Sequence, residues 1–415
     1  MSKSLSHASL TTILVGALIL AGTVHFDVVK ASTEVTGIIS SDVVWTKANS
    51  PYNLTGPMLV KDGVTLTIES GVIVYFNDYQ LKVNGTLVAR GSSTDKIHFK
   101  ISDTQVSYIG KDIEFTPFST DWNEDTGSGC IIENTVVNIK LSISNSPKIS
   151  NNIINARINI NGVSPVTISN NTITNQIAIG SESSVVISNN NIVSEGDYSF
   201  TIAITGGSAV ISNNNITGIG NVGSVGIDFE GGNGVLISDN VISGFKKYGI
   251  NAAGNSTIER NLIFGNNYGI MIGKGVSLMP MYYGDYCDIV IRNNTIKDNY
   301  YGIYGPTSAT TIVYNNIQNN SDYNIGIRYD KNITVANNWW GTTDTQTINQ
   351  TMFDFKKDYN LGTITFTPFL TEPIPEENAT PIPEFPSWAL LSIMLAVFAV
   401  ITIIYKRNIT SEGKT

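Results

Sequence analysis

The sequence is poor in the residue types from which many catalytic and metal sites are built. It contains three histidines and two cysteines in 415 residues, and only His98 lies outside the first 25 positions. Charged residues make up 14%, the formal net charge is -9, and no block of lysine or arginine occurs. These absences argue against a histidine-based site and against nucleic acid as a partner.

A six-residue motif, Ile-x-x-Asn-x-Ile, occurs ten times in the middle of the chain. Its copies begin 18 to 33 residues apart. Such a period is typical of solenoid proteins. They start at Ile131, Ile149, Ile168, Ile187, Ile211, Ile237, Ile258, Ile291, Ile312 and Val335. The fourth position is always asparagine: Asn134, Asn152, Asn171, Asn190, Asn214, Asn240, Asn261, Asn294, Asn315 and Asn338.

Each asparagine of the motif stands between two apolar positions, so the pattern predicts a buried amide. A buried amide is costly unless its hydrogen bonds are made. Identical amides stacked at the inter-strand spacing of about 4.8 Å can bond to one another. Asparagine also tolerates the left-handed backbone that a sharp bend requires. The motif therefore predicts an all-β parallel β-helix over residues 131–341, with an asparagine ladder at one bend.

The repeats resemble the right-handed β-helix repeats of the pectin-lyase-like superfamily. The resemblance rests on segments such as ISNNTI and IRNNTI, and on Tyr-Gly-Ile at Tyr248, Tyr268 and Tyr301. The segment from Asn337 to Gly341 is similar to the end of archaeal surface β-helices. The resemblance implies a fold rather than a chemistry, because the superfamily includes lyases, hydrolases, adhesins and a periplasmic copper-associated family.

The N-terminal region predicts a secretory signal followed by the first turns of the coil. Residues 1–32 contain Lys3 and an apolar run from Leu10 to Val24, as signal peptides do, although an uncleaved anchor is the alternative. Residues 33–130 form the N-terminal cap and first turns, with residues 33–59 expected to cover the exposed edge. Alternating segments such as 64–68 and 97–99 predict short strands that bury one face.

The C-terminal region predicts a cap, a stalk and a membrane anchor. Residues 342–370 form the cap and include an amphipathic helix over 344–357, and residues 371–386 are a proline-rich stalk. Residues 387–405 are apolar over about 28 Å of helix, enough to cross a bilayer as one transmembrane helix. Lys406 and Arg407 follow, so residues 406–415 are expected in the cytoplasm and the coil outside. The Pro-Glu-Phe segment at 383–385 resembles archaeal sorting signals, which implies cleavage and a lipid anchor as the alternative.

The favoured function is a noncatalytic cell-surface protein that binds polysaccharides or surface glycoproteins. Tyrosines cluster in the second half of the coil, and tyrosine combines a flat apolar face with a polar rim. The central residues of one strand column, from Asn159 through Asp228 to Tyr304 and Arg328, are expected to face solvent. The candidate ligand-binding residues are Tyr282, Tyr283, Tyr286 and Tyr304.

Three chemical alternatives remain open. Polysaccharide hydrolysis would use paired carboxylates, and a polysaccharide lyase would use a base beside a cation. The candidates for these roles are Asp228, Glu230 and Arg328. Copper handling would use the soft ligands Met271, Met279, Met281 and Cys287. A calcium site would use alternating oxygens in the acidic loop at Asp121, Asn123 and Asp125, which is otherwise a solvated turn.

Two further expectations concern covalent chemistry. Cys130 and Cys287 are separated by seven predicted turns, roughly 34 Å along the axis, so both thiols should be free. Asn-x-Ser/Thr sequences fit a glycosylated exterior. They include those that begin at Asn53, Asn84, Asn255, Asn319, Asn332, Asn349 and Asn378.

Overall fold

The chain forms an all-β parallel solenoid of about 12 turns. This computed structural model describes residues 32–101, 112–162, 165–180, 182–194, 200–219, 224–231, 233–273 and 287–375. Each turn contributes one short strand to each of three parallel stacks that run along the axis. The predicted all-β parallel solenoid is thereby confirmed. The stacks are called first, second and third in the order in which the chain meets them within a turn.

The three stacks pair strands of successive turns in register. The first stack contains Val43–Trp45, Thr65–Ile68, Thr86–Arg90, Ile131–Glu133, Lys148–Ser150, Pro165–Ser169, Ser184–Ser188, Ser208–Ser212, Asn233–Ser238, Asn255–Glu259, Ile289–Arg292 and Thr310–Val313. The second contains Ile73–Tyr75, Ile97–Lys100, Thr135–Val137, Ile153–Ile154, Thr172–Ile173, Asn191–Ser194, Asn215–Gly218, Val241–Ser243, Leu262–Phe264, Thr295–Lys297 and Asn316–Gln318. The third contains Leu81–Val83, Asp112–Phe115, Lys140–Ile143, Ile158–Ile160, Ile177–Ile179, Phe200–Ile204, Val225–Phe229, Tyr248–Ala252, Tyr268–Ile272, Tyr301–Tyr304, Tyr323–Gly326 and Met352–Phe353.

The core is a continuous apolar column enclosed by the three stacks. In a typical turn Ile168, Ile173 and Ile177 each supply one inward side chain, and all three are fully buried. Burial of one such side chain contributes about 1.5 to 3 kcal/mol, so the repeated isoleucines are the main source of stability. Larger rings fill the N-terminal turns, where Phe76 and Phe99 meet edge to face at 5.8 Å.

The asparagine ladder lies at the bend between the first and second stacks. Asn190 shows the pattern: its Nδ2 donates to Ile168 O at 3.0 Å, to Ser188 O at 3.0 Å and to Asn214 Oδ1 at 3.0 Å. Its backbone N–H also donates to Asn214 Oδ1, at 2.9 Å. Amides from Asn152 to Asn338 occupy equivalent buried positions, so nine of the ten predicted ladder asparagines are confirmed.

The structure corrects two details of the predicted ladder. The first copy is shifted by one residue, because Ile132 pairs with Ile149 and the buried Thr135 takes the ladder position in place of Asn134. The left-handed residue at the bend is the one before the ladder asparagine, as at Asn189 (φ 57°) and Asn213 (φ 56°). The ladder amide is therefore selected for its hydrogen bonds and not for its backbone conformation.

The N-terminal residues form the outermost turn of the coil. Strand Thr33–Ile39 pairs in parallel with Tyr52–Val60, and this pair spans the second and third stacks. The strands predicted between residues 64 and 100 are present, and His98 points outward between the buried Ile97 and Phe99. Burial lowers the pKa of His98, chiefly through loss of hydration.

The C-terminal cap differs in extent from its prediction. The helix covers only Thr345–Gln350, with Asp344 accepting hydrogen bonds from the backbone of Gln346 and Thr347 as predicted. It then gives way to strand Met352–Phe353, so Met352 is buried by pairing with the third stack and not on a helix face. Strands Ile333–Thr334 and Ile364–Thr365 pair beyond the end of the first stack.

The first residues of the stalk lie against the side of the coil. The amide of Asn316 donates from Nδ2 to Ile374 O at 2.8 Å and accepts from Ile374 N at 2.9 Å. Within the described residues, no helix is long and apolar enough to cross a membrane. The predicted signal at 1–32, apart from its last residue, the predicted transmembrane helix at 387–405 and the cytoplasmic tail lie outside the described residues.

Candidate functional site

The outward side chains of the third stack differ in size, charge and polarity from turn to turn. Pairing of successive strands aligns Asn159, Ala178, Ala203, Asp228, Asn251, Met271 and Tyr304, as predicted. The next aligned residue is Gly326, so the placement of Arg328 in this column is wrong. We call these seven residues the floor of the outer face.

The prediction that the floor faces open solvent fails in its second half. Asp228 and Asn251 are each 4% exposed and Met271 is 5% exposed. Met271 packs with Tyr248 and Val225 in an apolar cluster separate from the core, and Tyr268 and Tyr304 lie against it. Side chains of neighbouring turns thus cover outward residues that alternation alone would leave exposed.

A column of tyrosines runs along the axis beside the floor. Tyr248, Tyr268, Tyr301 and Tyr323 occupy the same register position in four successive turns. The rings of Tyr268 and Tyr301 stack with centroids 4.8 Å apart and an interplanar angle of 5°, and Tyr248 meets Tyr268 edge to face at 5.5 Å. We call these four residues the tyrosine column.

The glycine of each Tyr-Gly-Ile segment permits close approach of successive turns. A Cβ on Gly269 would lie 2.7 Å from Gly302 O and 3.0 Å from Asn299 Nδ2. Asn299 belongs to a second, shorter ladder at the bend between the second and third stacks, in which Asn266 Nδ2 donates to Asn299 Oδ1 and Asn299 Nδ2 to Asn320 Oδ1, both at 3.0 Å. The sequence reading missed this ladder, whose signal is an Asn two or three residues before Tyr268, Tyr301 and Tyr323.

Stacking within the tyrosine column limits what these rings can bind. The faces of Tyr268 and Tyr301 contact each other, so the column offers edges and hydroxyl groups and not free faces. The ring of Tyr304 packs beside this stacked pair, with its centroid 5.5 Å from that of Tyr268 and 5.2 Å from that of Tyr301. Burial raises the pKa of the Tyr304 hydroxyl, which therefore remains a neutral donor at physiological pH. The other predicted tyrosines, Tyr282, Tyr283 and Tyr286, lie outside the described residues.

Asp228 and Asn251 form a buried polar pair in the floor. Asn251 Nδ2 donates to Asp228 Oδ1 at 2.5 Å, while Asn251 Oδ1 has no hydrogen-bond partner among the described residues. Burial raises the pKa of the Asp228 carboxyl, against the opposing effect of the Asn251 hydrogen bond, and the charge of nearby Glu230 raises it further. A carboxyl held in this way favours its protonated form.

The other two catalytic candidates, Glu230 and Arg328, lie near Asp228 and near the tyrosine column, respectively. Glu230 follows the strand on an exposed bend, and its charge is felt by Asp228. Arg328 lies over the ring of Tyr329 at 5.9 Å. Burial raises the pKa of Tyr248 and Tyr304, and the charge of Arg328 opposes this effect, so Arg328 neighbours the tyrosine column. Asp228 is too enclosed to meet a polymer directly, and a catalytic role for the three residues stays a prediction.

A groove of about 660 Å³ opens on the outer face where the side chains of the floor are small. Its floor is Asn159, Ala178 and Ala203, and its sides come from neighbouring positions. The sides are Arg157, Asn161, Gln176, Ile179, Gly180, Phe200 and Thr205. None of the described residues that line it is acidic. Sequence reasoning missed the groove because its signal, two alanines between larger outward residues, indicates a depression only once the register is known.

The polar groups of the groove are partly free to accept a ligand. Asn159 Oδ1 is buried without a partner among the described residues, and the exposed Arg157 makes no ion pair in that part of the chain. Gln176 Nε2 donates to Phe200 O at 2.9 Å, which fixes one side of the groove. Phe200 also packs against the cluster around Tyr248, so the groove is continuous with the aromatic half of the face.

The acidic loop forms a turn over the first stack. Asn123 Oδ1 accepts from Thr126 N at 3.0 Å and Asp121 Oδ1 accepts from Ser146 N at 3.2 Å, while Asp125 is exposed. Among the described residues, no group of three or more His, Cys, Asp or Glu side chains is arranged to hold a metal ion. Calcium binding here stays a prediction, without a gathered set of carboxylates to support it.

The copper candidates are divided between two surroundings. Met271 is buried in the aromatic cluster, and Cys287 is half-buried with its thiol 3.8 Å from Ala253 O. Met279 and Met281 lie outside the described residues. Both cysteines are free thiols, as predicted.

Comparison with known proteins supports the fold and leaves the chemistry open. A family model described as "Right handed beta helix region" matches residues 177–340. No curated protein and no solved structure gives a significant match to the chain. The family match and the parallel solenoid together support a right-handed β-helix protein.

Proposed function

From this right-handed β-helix, we propose a noncatalytic cell-surface protein that binds glycans along the outer face of its third stack. The observation that carries the proposal is the groove between Arg157 and Thr205. It combines amide and guanidinium donors, an unpartnered carbonyl oxygen on Asn159 and the ring of Phe200. Sugars present hydroxyl groups at their edges and an apolar face, which matches this set of groups.

The proposed ligand site is the groove and not the tyrosine column favoured by the sequence. The ring of Phe200 is half-buried and lines the groove, whereas the rings of Tyr268 and Tyr301 cover each other. Three turns at about 4.8 Å give the groove a length of roughly 10 to 14 Å, enough for a short run of sugar units. Tyrosine hydroxyl groups farther along the same face would extend the contact for a longer polymer.

The proposed location is the cell exterior, with the coil attached to a membrane through the C-terminal segment. This proposal rests on the sequence: an apolar run at 10–24, a proline-rich stalk at 371–386 and an apolar run at 387–405 followed by Lys406 and Arg407. The bonds between Asn316 and Ile374 would fix where the stalk leaves the coil. The anchor would be a single span or, after cleavage, a lipid.

The test is retention of the protein on a panel of acidic and neutral polysaccharides, with groove variants beside the wild type. We expect Phe200→Ala to weaken binding about two- to tenfold, because loss of an aromatic contact costs about 0.5 to 1.5 kcal/mol. Arg157→Ala should weaken binding to acidic polysaccharides more than to neutral ones. The matched controls are Phe118→Ala, at an aromatic ring that is 73% exposed elsewhere, and Lys61→Ala.

Equal retention of Phe200→Ala and Phe118→Ala would refute the groove as the binding site. Failure of the wild type to bind any polysaccharide or surface glycoprotein would refute the proposed function itself. Thermal unfolding of each variant separates lost binding from lost folding.

A second candidate, glycoside hydrolysis, is favoured by one observation, the raised pKa of Asp228. A general acid needs a raised pKa, but it also needs access to the scissile oxygen, and Asp228 is 4% exposed. The same polysaccharide panel tests this candidate through new reducing or unsaturated ends. Product formed by the wild type and abolished in Asp228→Asn would establish an enzyme and overturn the noncatalytic proposal.

A further inference from the structure

The side chain of Arg328 runs back along the outer face, away from its own turn. Arg328 follows strand Tyr323–Gly326, and its neighbour Ile327 is buried in the core, so alternation directs Arg328 outward. A Cβ on Gly305, in the preceding turn, would lie 3.0 Å from Arg328 Cδ. A Cβ on Gly273, one turn farther back, would lie 3.9 Å from Arg328 Nη1. The guanidinium therefore lies over the aromatic half of the outer face.

Two glycines leave room for this side chain. Gly305 directly follows strand Tyr301–Tyr304, and Gly273 directly follows strand Tyr268–Ile272. Their φ angles are 84° and 97°, in the region that glycine adopts freely. A side chain at Gly305 would displace the stem of Arg328, and one at Gly273 would contact its guanidinium. The backbone of two successive turns thus allows the extended arginine to lie against the coil.

No anion neutralises this guanidinium in the part of the chain that the structure describes. Arg328 is half-buried, makes no ion pair there and lies 5.9 Å from the ring centroid of Tyr329. Its charge acts on the hydroxyls of Tyr248, Tyr268 and Tyr304. Burial raises the pKa of all three, so these hydroxyls are neutral at physiological pH and leave the positive charge uncompensated.

The acidic residues described on this half of the face do not pair with Arg328. Asp228 is 4% exposed, and burial raises its pKa. Asp322 lies beside the Tyr301 hydroxyl, whose pKa it raises together with burial. Glu230 is exposed two turns before the turn of Gly273, about 10 Å away by strand spacing.

We propose that Arg328 binds the negatively charged group of an acidic glycan, an inference that rests on the proposed glycan-binding function. The group would be a carboxylate or a sulfate ester, because a planar guanidinium donates two parallel N–H bonds to such oxyanions. A partly dehydrated cation without a counter-ion is costly, and an anion from the ligand offsets this cost. Neutral tyrosine hydroxyls beside the guanidinium can donate to the remaining oxygens.

The groove supplies a second cation, Arg157, on the same face. Asn159 in the groove and Met271, in the turn of Gly273, are five turns apart in one column, roughly 24 Å along the axis. A polymer that lies along the face would meet both cations, whereas a short neutral sugar would need only the groove. The inference therefore names acidic polymers as the ligands of the whole face.

The first experiment measures anion binding at Arg328 in the wild-type chain. Phenylglyoxal modifies accessible guanidinium groups, and peptide mass spectrometry reports the rate at each arginine. At constant ionic strength, glucuronate or glucose 6-sulfate should slow the modification of Arg328 severalfold, and glucose should not. Arg260, which forms ion pairs with Asp239 and Glu259, is the internal reference whose rate should stay the same.

Equal modification rates of Arg328 with the charged sugars and with glucose, at the highest soluble concentration of each, would overturn the inference. An Arg328 that phenylglyoxal cannot reach in the folded protein would overturn it as well. Protection by only one of the two charged sugars would support the site and show whether it takes a carboxylate or a sulfate.

The second experiment compares Arg328→Gln with Lys331→Gln on pairs of polymers that share a backbone and differ in charge. The pairs are polygalacturonate with its methyl ester, and dextran sulfate with dextran. We expect Arg328→Gln to weaken retention on the acidic members about tenfold and to leave the neutral members unchanged. Lys331 is exposed, and its replacement changes the net charge equally, so Lys331→Gln should behave like the wild type.

The outcomes separate this inference from the proposed function. Equal retention of Arg328→Gln and Lys331→Gln on acidic polymers, or a wild type that does not distinguish acidic from neutral polymers, would overturn the inference and leave glycan binding standing. Protection of Arg328 by charged sugars, with no polymer or surface glycoprotein retained by the wild type, would support the anion site and contradict the proposed function. Thermal unfolding of Arg328→Gln shows whether the variant is folded.

Discussion

Replacement of Asn214 by leucine tests the main ladder directly. In the structure Asn214 Oδ1 accepts from Asn190 N at 2.9 Å and Asn190 Nδ2 at 3.0 Å, and its own Nδ2 donates to Ile187 O, Ser212 O and Asn240 Oδ1. Leucine has the same number and branching of side-chain heavy atoms, so no cavity forms and the lost hydrogen bonds would dominate the effect. The bonds of Asn214 are buried, so water cannot replace them.

The expected cost follows from which groups lose every partner. The Asn190 backbone N–H loses the acceptor that the structure gives it, whereas Asn190 Nδ2 keeps Ile168 O and Ser188 O. Asn240 Oδ1 keeps the Asn214 backbone N–H as a donor. One buried donor left without an acceptor costs about 1 to 3 kcal/mol. Ile187 O and Ser212 O each lose a donor as well, which brings the total to about 2 to 4 kcal/mol.

The measurement is thermal and urea unfolding of Asn214→Leu beside Asn267→Leu. Asn267 is exposed and no side-chain hydrogen bond of it is seen among the described residues, so its replacement is the matched control. With an unfolding entropy of about 2.1 cal/mol/K per residue, the ladder variant should melt about 3 to 6 °C below the control if unfolding is cooperative. Melting temperatures within about 1 °C of each other would refute the ladder as a source of stability.

Three further predictions concern the outer face and the thiols. Burial raises the pKa of Asp228 in the folded protein above the ordinary value of 3.8, so its contribution to stability is full below pH 3.8 and is lost as the pH rises through the raised pKa. Asp228→Asn should therefore melt above the wild type at pH 7 and at the same temperature as the wild type near pH 3.5. A melting temperature below that of the wild type at pH 7 would contradict this prediction. Gly269→Ala should lower the free energy of unfolding in urea by about 2 kcal/mol or more, because the new Cβ would approach Gly302 O to 2.7 Å. An unchanged free energy of unfolding would show that neighbouring turns can move apart to accommodate the methyl group. Burial raises the pKa of Cys130 to about 11, so this thiol should resist a maleimide at pH 8 until the protein unfolds, and Cys287 should react first. A disulfide between the two cysteines, detected by mass spectrometry, would contradict the strand register of the coil.

The repeat motif predicted most of the fold, and the details that it predicted wrongly have local physical reasons. The first copy was placed one residue early because Ile131 and Ile132 are both apolar, so the pattern alone allows two registers. Only the pairing of Ile132 with Ile149 distinguishes them. The motif therefore determines the register of the strand where a single apolar residue precedes the bend. It leaves two registers possible where two apolar residues do.

The outer face was less predictable than the core. Alternation tells which side of a strand a residue occupies, and it placed Asp228 and Met271 outward correctly. It does not tell which neighbours from adjacent turns cover that residue, and here the aromatic cluster around Tyr248 does so. Function depends on that second property, so the groove and the enclosure of Asp228 needed coordinates.

The three bends of a turn differ in how much change they can absorb. At the main ladder the same short segment joins the two flanking buried residues in turn after turn, as between Ile149 and Ile154 or Ile312 and Ile317. The bend after the third stack instead joins strands as close as Ala252 and Asn255 or as distant as Ile272 and Ile289. Natural variation and engineering should therefore add or remove loops at this bend, which borders the outer face, without disturbing the coil. A library of loop insertions there would diversify recognition on a scaffold that stays constant.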